Sequence, residues 1–214
     1  MTAERRAVAL DVDGVLLDST AAHHAVWSQW ARSRGLAVAP VLAACTGRRP
    51  EDTVREVAPH LDPAAERLAL DTLTRASRAA VAAMPGAAEL LRLLPAGSWA
   101  IVTSGSAWYV RQAFGRQKLP LPVVQVYGED VAAAKPAPDA YLLATSLLGV
   151  VPEDCLVVED SLVGVMAGKS AGCRVLGVGV PPAAQPDHWV AALPDAAGIV
   201  RGWLCGERLP AGGA

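Results

Sequence analysis

The chain has 214 residues, 52% of them hydrophobic and 19% charged, with a formal charge of -2. That length supports one sizeable core, or a domain carrying a subdomain, and the composition excludes intrinsic disorder. A near-neutral chain has no electrostatic footprint for nucleic acid, and no stretch approaches the roughly 20 apolar residues of a membrane span. The Arg5-Arg6 pair leads straight into an acidic cluster with no small-residue cleavage site, which is not a signal-peptide pattern. These features predict a cytoplasmic protein with neither nucleic acid nor membrane as partner, and the lack of a strongly patterned interaction helix makes a monomer the expectation.

In chain order, residues 7–11 form the first apolar run, read as a buried strand that ends among Asp11, Asp13 and Asp18. Residues 20–34 read as a helix, with Ala22, Val26 and Trp30 on one face, Ser19 or Thr20 as its cap and Gly35 as its stop. Trp27 and Trp30 are read as core, and His23 and His24 as solvated or interhelical side chains. Further helices are predicted over residues 50–59 and 63–83.

The next apolar run, residues 98–103, comes about 85 residues after the first, far more than one crossover helix requires. Residues 15–84 are therefore read as an inserted, all-helical cap. Pro85 and Gly86 start the following helix and Gly97 ends it, and runs at 123–127, 155–159 and 174–178 continue the alternation, with a helix between the last two that ends at Gly172. Alternating strands and helices predict an α/β fold, a parallel sheet with helices on its faces. Residues 1–14 and 85–205 form this core, and the Gly- and Pro-rich residues 206–214 a flexible tail. Cys45, Cys155, Cys173 and Cys205 show no C-x-x-C spacing and are read as small apolar residues.

Ligands of an open α/β sheet collect at the carboxyl ends of its strands. Those ends carry Asp11 and Asp13, then Thr103 and Ser104, then Glu159 and Asp160, while Lys135 lies in a loop bounded by Pro136 and Pro138. Clustered carboxylates resist desolvation unless a cation compensates them, and oxygen-only ligands from Asp11, Asp160 and Glu159 suit a hard ion such as Mg2+. Thr103 and Lys135 are placed to hold phosphoryl oxygens, with Gly14, which allows a sharp exit from the strand, and Ser104 and Gly105 as further candidate phosphate-binding residues. One residue separates Asp11 from Asp13, so both side chains point the same way in extended chain. Asp11 is read as a nucleophile forming an aspartyl-phosphate, and Asp13 as the acid and base that serves the leaving oxygen and the attacking water.

The segments DVDGVLLDS, VTSGS, KPAPDAY and VVEDSLVGVMAGKSAGC resemble the four motifs of the haloacid dehalogenase (HAD) superfamily of phosphohydrolases, in the branch with a helical cap after the first motif. The resemblance implies a Rossmann-like core, Mg2+ dependence, Asp11 as nucleophile, Asp13 as general acid and base, Thr103 and Lys135 on the phosphate, and Asp160 with the Asp13 backbone carbonyl on the metal. Asp13 argues against the dehalogenase reaction, which has no leaving oxygen to protonate. The cap has no lysine between Val15 and Met84, which excludes a Schiff base of the phosphonoacetaldehyde hydrolase kind and lowers the β-phosphoglucomutase alternative. The segment CTGRRPEDT is similar to the Gly-x-Arg segment of sugar-phosphate and glycerol-phosphate phosphatases. Gly47 would let that loop approach the core, and Arg48 or Arg49 would offer forked donors to substrate oxygens. The expected substrate is a small phosphorylated sugar or polyol, against the alternatives of a phosphosugar mutase and a non-catalytic phosphate-binding protein.

Overall fold

Strand β1 (Ala7–Leu10) alternates small and large residues, and the alternation decides the layering. In the computed structural model, which describes residues 5–180 and 182–209, Val8 and Leu10 join one apolar core and Ala7 and Ala9 another on the opposite face. After β1 the chain forms the short β2 (Leu17–Asp18) and helices α1 (Thr20–Ser33), α2 (Val38–Cys45), α3 (Pro50–Val57) and α4 (Pro63–Ala76). It returns through β3 (Ala82–Ala83) and α5 (Ala87–Leu93), then β4 (Trp99–Val102), α6 (Ala107–Gln117) and β5 (Val124–Val126). The rest comprises α7 (Asp139–Leu148), β6 (Cys155–Glu159), α8 (Leu162–Ser170), β7 (Arg174–Val178), β8 (His188–Val190) and α9 (Leu193–Leu204).

Six strands form a parallel sheet in the order β5-β4-β1-β6-β7-β8. Helices α5, α6 and α9 bury Leu90, Phe114 and Trp203 against one face, and α7 and α8 bury Tyr141 and Val165 against the other. Leu10, Ile101 and Leu156 are completely buried, each contributing about 1.5–3 kcal/mol by its removal from water. The strand order reverses beside β1, with β4 and β5 added on one side and β6 to β8 on the other, which opens a crevice at the carboxyl ends of β1, β4 and β6.

Helices α1 to α4 pack around a separate core of Val26, Trp27, Trp30, Val41, Val54 and Leu70. Its one buried carboxylate is tied down on two sides: Trp30 Nε1 donates to Glu66 at 2.6 Å, and the Arg34 guanidinium approaches the same oxygen at 2.9 Å. Burial opposes that charge, but these donors prevail and hold the Glu66 carboxyl below its ordinary value. The two ends of this helical segment lie side by side, because β2 and β3 pair antiparallel, Leu17 with Ala83 and Asp18 with Ala82.

Several expectations need correction. Helix α4 ends at Ala76 rather than near residue 83, since Gln117 takes the next peptide groups, donating to the Val81 carbonyl at 2.7 Å and accepting from Ala83 N–H. Helix α2 was not foreseen: Pro40 interrupts its pattern, yet a proline in the first turn removes no helical hydrogen bond. Strand β8 has three residues behind Pro186 and Asp187, too short to register as an apolar run. Of the tail read as flexible, Glu207 N–H donates to Gly202 at 2.9 Å, its carbonyl accepts from Arg6, and Leu209 packs on the larger core. Residues 1–4 of the predicted core and 210–214 of the predicted tail lie outside the described residues. Among the described residues no helix is long and apolar enough to cross a membrane.

Candidate active site

The crevice at the strand ends is roofed by α1, α4 and the loop after α2, enclosing a cavity of about 150 Å3. This is below the roughly 300 Å3 of the smallest drug-sized sites and suits a small metabolite. Asp11, Asp13, Gly14, Thr103, Ser104, Gly105 and Asp160 all line it, with Arg48 on the roof.

Lys135 lies beneath this floor, almost fully buried, and ties three strands together. Its Nζ donates to Asp11 Oδ1 at 2.6 Å, to Glu159 Oε1 at 2.7 Å and to the Val102 carbonyl at 3.2 Å. Burial alone would lower its pKa, but the two carboxylates hold the ammonium above its ordinary value. Glu159, with no exposed surface, also accepts from Tyr141 OH at 3.0 Å through Oε1, and from Asp160 N–H, Ser161 N–H and Ser161 OH at 3.0 Å each through Oε2. A carboxylate has about four lone-pair sites, so Glu159 enters the cluster with its acceptor capacity engaged. Ser161 completes the turn by capping α8, its Oγ accepting from Gly164 N–H at 3.1 Å. A Cβ at Gly164 would sit 1.7 Å from Glu159 Oε1, so this first turn of α8 cradles the carboxylate.

Asp11, Glu159 and Asp160 each present an oxygen within 4.8 Å of the others. Burial raises the Asp11 carboxyl well above the ordinary range, with Lys135 opposing and Glu159 and Asp160 reinforcing the rise. Asp160 is pushed up to about 8, chiefly by burial and then by Glu159, with Lys135 opposing. One lysine does not balance this acidic set, and a hard cation would supply the missing charge. Gly14, at φ +84°, lies against Asp160 so closely that a Cβ would fall 1.8 Å from Oδ2.

Asp13 is held separately: Ser19 Oγ donates to its Oδ1 at 2.6 Å, and His23 Nε2 lies 3.7 Å from the same oxygen. Ser19 occupies the cap position of α1, but its hydroxyl serves Asp13 and makes no cap bond, contrary to the sequence reading. Thr103 Oγ1 accepts from Gly105 N–H at 2.9 Å, which fixes the side chain while leaving its hydrogen to donate. Ser104 Oγ donates to the Gly47 carbonyl at 2.8 Å and so joins the roof to the floor. Gly47 itself has φ +71°, and a Cβ there would meet Ser161 Oγ at 2.6 Å.

The two arginines of the roof part company. Arg48 lines the cavity and pairs with Glu56. Arg49 is turned away: it binds Asp52 at 2.9 Å and donates to the carbonyls of Gly128, Val131 and Ala132 at 3.3, 2.9 and 3.1 Å. Its donors join the roof to the loop after β5, and of the two arginines between which the sequence leaves the choice open, Arg48 is the one that lines the cavity.

The family model for haloacid dehalogenase-like hydrolases matches residues 5–172. The chain belongs to that family. This haloacid dehalogenase-like hydrolase is 43% identical over 176 residues to hexitol phosphatase A of Escherichia coli, covering 80% of this chain and 82% of that protein. It is 30% identical over 190 residues to 2-deoxyglucose-6-phosphate phosphatase 2 of Saccharomyces cerevisiae, covering 78% and 77% of the two chains. The crystal structure of a hydrolase from Pseudomonas syringae shares the fold, with a TM-score of 0.79 at 23% identity over 92% of this chain and 98% of that one.

The hydrolase also places in its cavity side chains to which the sequence reading gave no role in the site or which it passed over. His23, His24 and Trp27 from α1, Arg67 and Asp71 from α4, and Trp108 and Tyr109 from α6 all line it. His23, Trp27 and Trp30 fall at i, i+4 and i+7, so one helix face carries both the separate core and the roof, a periodicity that would have brought His23 forward. Trp27 serves both, since it is buried in that core while lining the cavity. Cys45 lines the cavity too, but burial pushes its thiol up to about 11, which keeps it protonated and without nucleophilic character.

Proposed function

We propose that this hydrolase is a Mg2+-dependent phosphatase that cleaves a small sugar or polyol phosphate monoester through an aspartyl-phosphate on Asp11, acting in the cytoplasm as a monomer. The observation that carries the reading is the floor itself: Asp11 held by a buried Lys135 at 2.6 Å, in a cavity it shares with Asp13, Thr103 and Asp160. The resemblance to phosphatases of hexitol and deoxyglucose phosphates supports the substrate class.

Asp11 and Asp160, with the Asp13 backbone carbonyl, would hold the metal, while Glu159 braces Lys135. When bound, the cation supplies charge neutralisation for the phosphoryl oxygens and the surrounding carboxylates. An Asp11 carboxylate oxygen attacks phosphorus, and the bond from phosphorus to the leaving oxygen breaks. Asp13 gives that oxygen its proton, leaving as an alcohol. The Asp13 carboxylate then takes a proton from water, whose oxygen displaces Asp11 and releases phosphate. Thr103 holds a phosphoryl oxygen as charge moves onto it, while Lys135, whose three N–H groups go to Asp11, Glu159 and the Val102 carbonyl rather than to the phosphate as the sequence suggests, keeps the Asp11 carboxylate in place. Residues 15–84 act as a cap that closes over the site and keeps bulk water from the intermediate until the alcohol has left.

The test is phosphate release from a panel of sugar, polyol, nucleotide and amino-acid phosphates, with Mg2+ or chelator, with Asp11→Asn as the blank and with hexose 1-phosphate to 6-phosphate conversion followed in parallel. Metal-dependent release from polyol or sugar phosphates, absent in the variant, is the expected result. Isomerisation without release would replace the reading with a mutase, and neither activity would leave a binding protein.

A further inference from the structure

Two polar atoms of the cavity are left without partners. The indole N–H of Trp108 and the hydroxyl of Tyr109 are buried and make no hydrogen bond of ordinary geometry to any described residue, although the Tyr109 hydroxyl lies within electrostatic reach of Ser19, whose own hydrogen goes to Asp13. Buried donors in folded proteins are almost always satisfied, so two stranded side by side mark a place where another molecule completes them.

Their location narrows what that molecule offers. Both residues lie in the first turn of α6, directly after the Thr103–Ser106 loop, and both line the cavity that holds Asp11 and Asp13. They therefore face the part of a phosphate ester that lies outward of its phosphorus. Their rings are also fixed in place. Trp108 and Tyr109 meet edge to face at 6.0 Å, Arg75 lies 3.8 Å over the Trp108 ring, and the His23 ring is 5.6 Å from that of Tyr109.

Val26, Trp27 and Leu70 line the same cavity and give it an apolar wall. A wall that packs on C–H groups, set against two uncharged and immobile hydrogen-bonding groups, matches a polyhydroxylated carbon chain. Trp108 and Tyr109 carry no positive charge for a second phosphate, and the two arginines that line the cavity are already paired, Arg48 with Glu56 and Arg67 with Glu51 and Asp71.

We propose that Trp108 and Tyr109 read the hydroxyl groups of the substrate's sugar or polyol portion, and so set which phosphate ester this site prefers. This rests on the phosphatase reading for its substrate class. A site built to bond a hydroxyl discriminates strongly against esters that lack one, because its own buried groups are then left unpaired.

The test compares a hexitol phosphate with p-nitrophenyl phosphate, whose leaving group offers no hydroxyl donor. For Trp108→Phe and Tyr109→Phe, the ratio of kcat/KM for the hexitol phosphate to that for the nitrophenyl ester is expected to fall about tenfold, mainly through KM. A ratio unchanged in both variants would overturn the assignment, because it would mean a general disturbance of the site or no effect at all.

A second measurement does not depend on turnover. Titration calorimetry on Asp11→Asn, with and without Tyr109→Phe, compares a hexitol phosphate with inorganic phosphate. The expected result is an affinity ratio that falls about tenfold when the hydroxyl is removed. Equal weakening of both ligands, or of neither, removes Tyr109 as a hydroxyl reader. Should the wild type release phosphate from no ester, the phosphatase reading fails, and this titration still decides whether the cavity recognises hydroxyls.

Discussion

Replacing Glu159 by glutamine tests the floor of the site most directly. The substitution preserves shape but turns one oxygen into a donor. At the Oε1 position the new NH2 would face the Lys135 ammonium and the Tyr141 hydroxyl; at Oε2 it would face the N–H groups of Asp160 and Ser161 and the Ser161 hydroxyl. Either placement sets the new donor against buried donors, at about 1–3 kcal/mol for each one stranded, and it removes one of the two carboxylates that balance Lys135. Together these give a loss of about 3–5 kcal/mol, in line with breaking a buried ion pair from one side. Urea unfolding of the metal-free protein in chelator should show it as a midpoint lowered by more than about 1 M. The reasoning is refuted if the midpoint in chelator matches the wild type and excess Mg2+ restores turnover, since Glu159 would then serve the metal and not Lys135.

Three further outcomes follow from the same geometry. Asp11→Asn should abolish phosphate release while leaving a folded protein by circular dichroism, because it removes one anion from a crowded acidic site; a variant with near-normal turnover would remove Asp11 as nucleophile. Arg49→Ala cuts the link to the Gly128, Val131 and Ala132 carbonyls, and should raise KM about tenfold, the equivalent of one net hydrogen bond, while making residues 38–57 more susceptible to proteolysis. Glu66 contributes to stability through pH: its carboxyl is depressed in the folded protein, so its contribution is complete above the unfolded value of about 4.3 and is lost as pH falls through the lower, folded value. Unfolding curves from pH 6 to pH 3 should therefore steepen in the wild type below about pH 4 relative to Glu66→Gln, and parallel curves would contradict the Trp30 and Arg34 contacts.

Much of this arrangement is legible without coordinates, because each strand announces itself by a run of buried aliphatics and hands its next residues to the site. Asp11, Thr103 and Glu159 follow that rule directly. What the sequence conceals is what depends on partners distant in the chain. Residues 77–83 are rich in alanine and read as helix, yet Gln117 and the pairing with β2 draw their backbone away. Arg48 and Arg49 are adjacent and chemically identical, and only the carbonyls after β5 separate a cavity residue from a tether. Ser19 looks like a helix cap until Asp13, six residues earlier, claims its hydroxyl. The donors of Trp108 and Tyr109 carry no pattern at all, since being unsatisfied is a property of surroundings and not of residue type.

The pairing of Leu17–Asp18 with Ala82–Ala83 bears on how such enzymes can diversify. Because the helical segment leaves the sheet and rejoins it through two neighbouring strands, its ends lie roughly 5 Å apart. A different segment of almost any length can then be spliced in at this point without rerouting the polypeptide beneath it. The bond-breaking residues reside on one side of the splice and much of the roof on the other. The roof residues of α1 to α4 can accordingly be exchanged as a module, while Trp108 and Tyr109 on α6 stay with the bond-breaking residues, so a chimera joined at these four residues separates the two contributions to substrate choice.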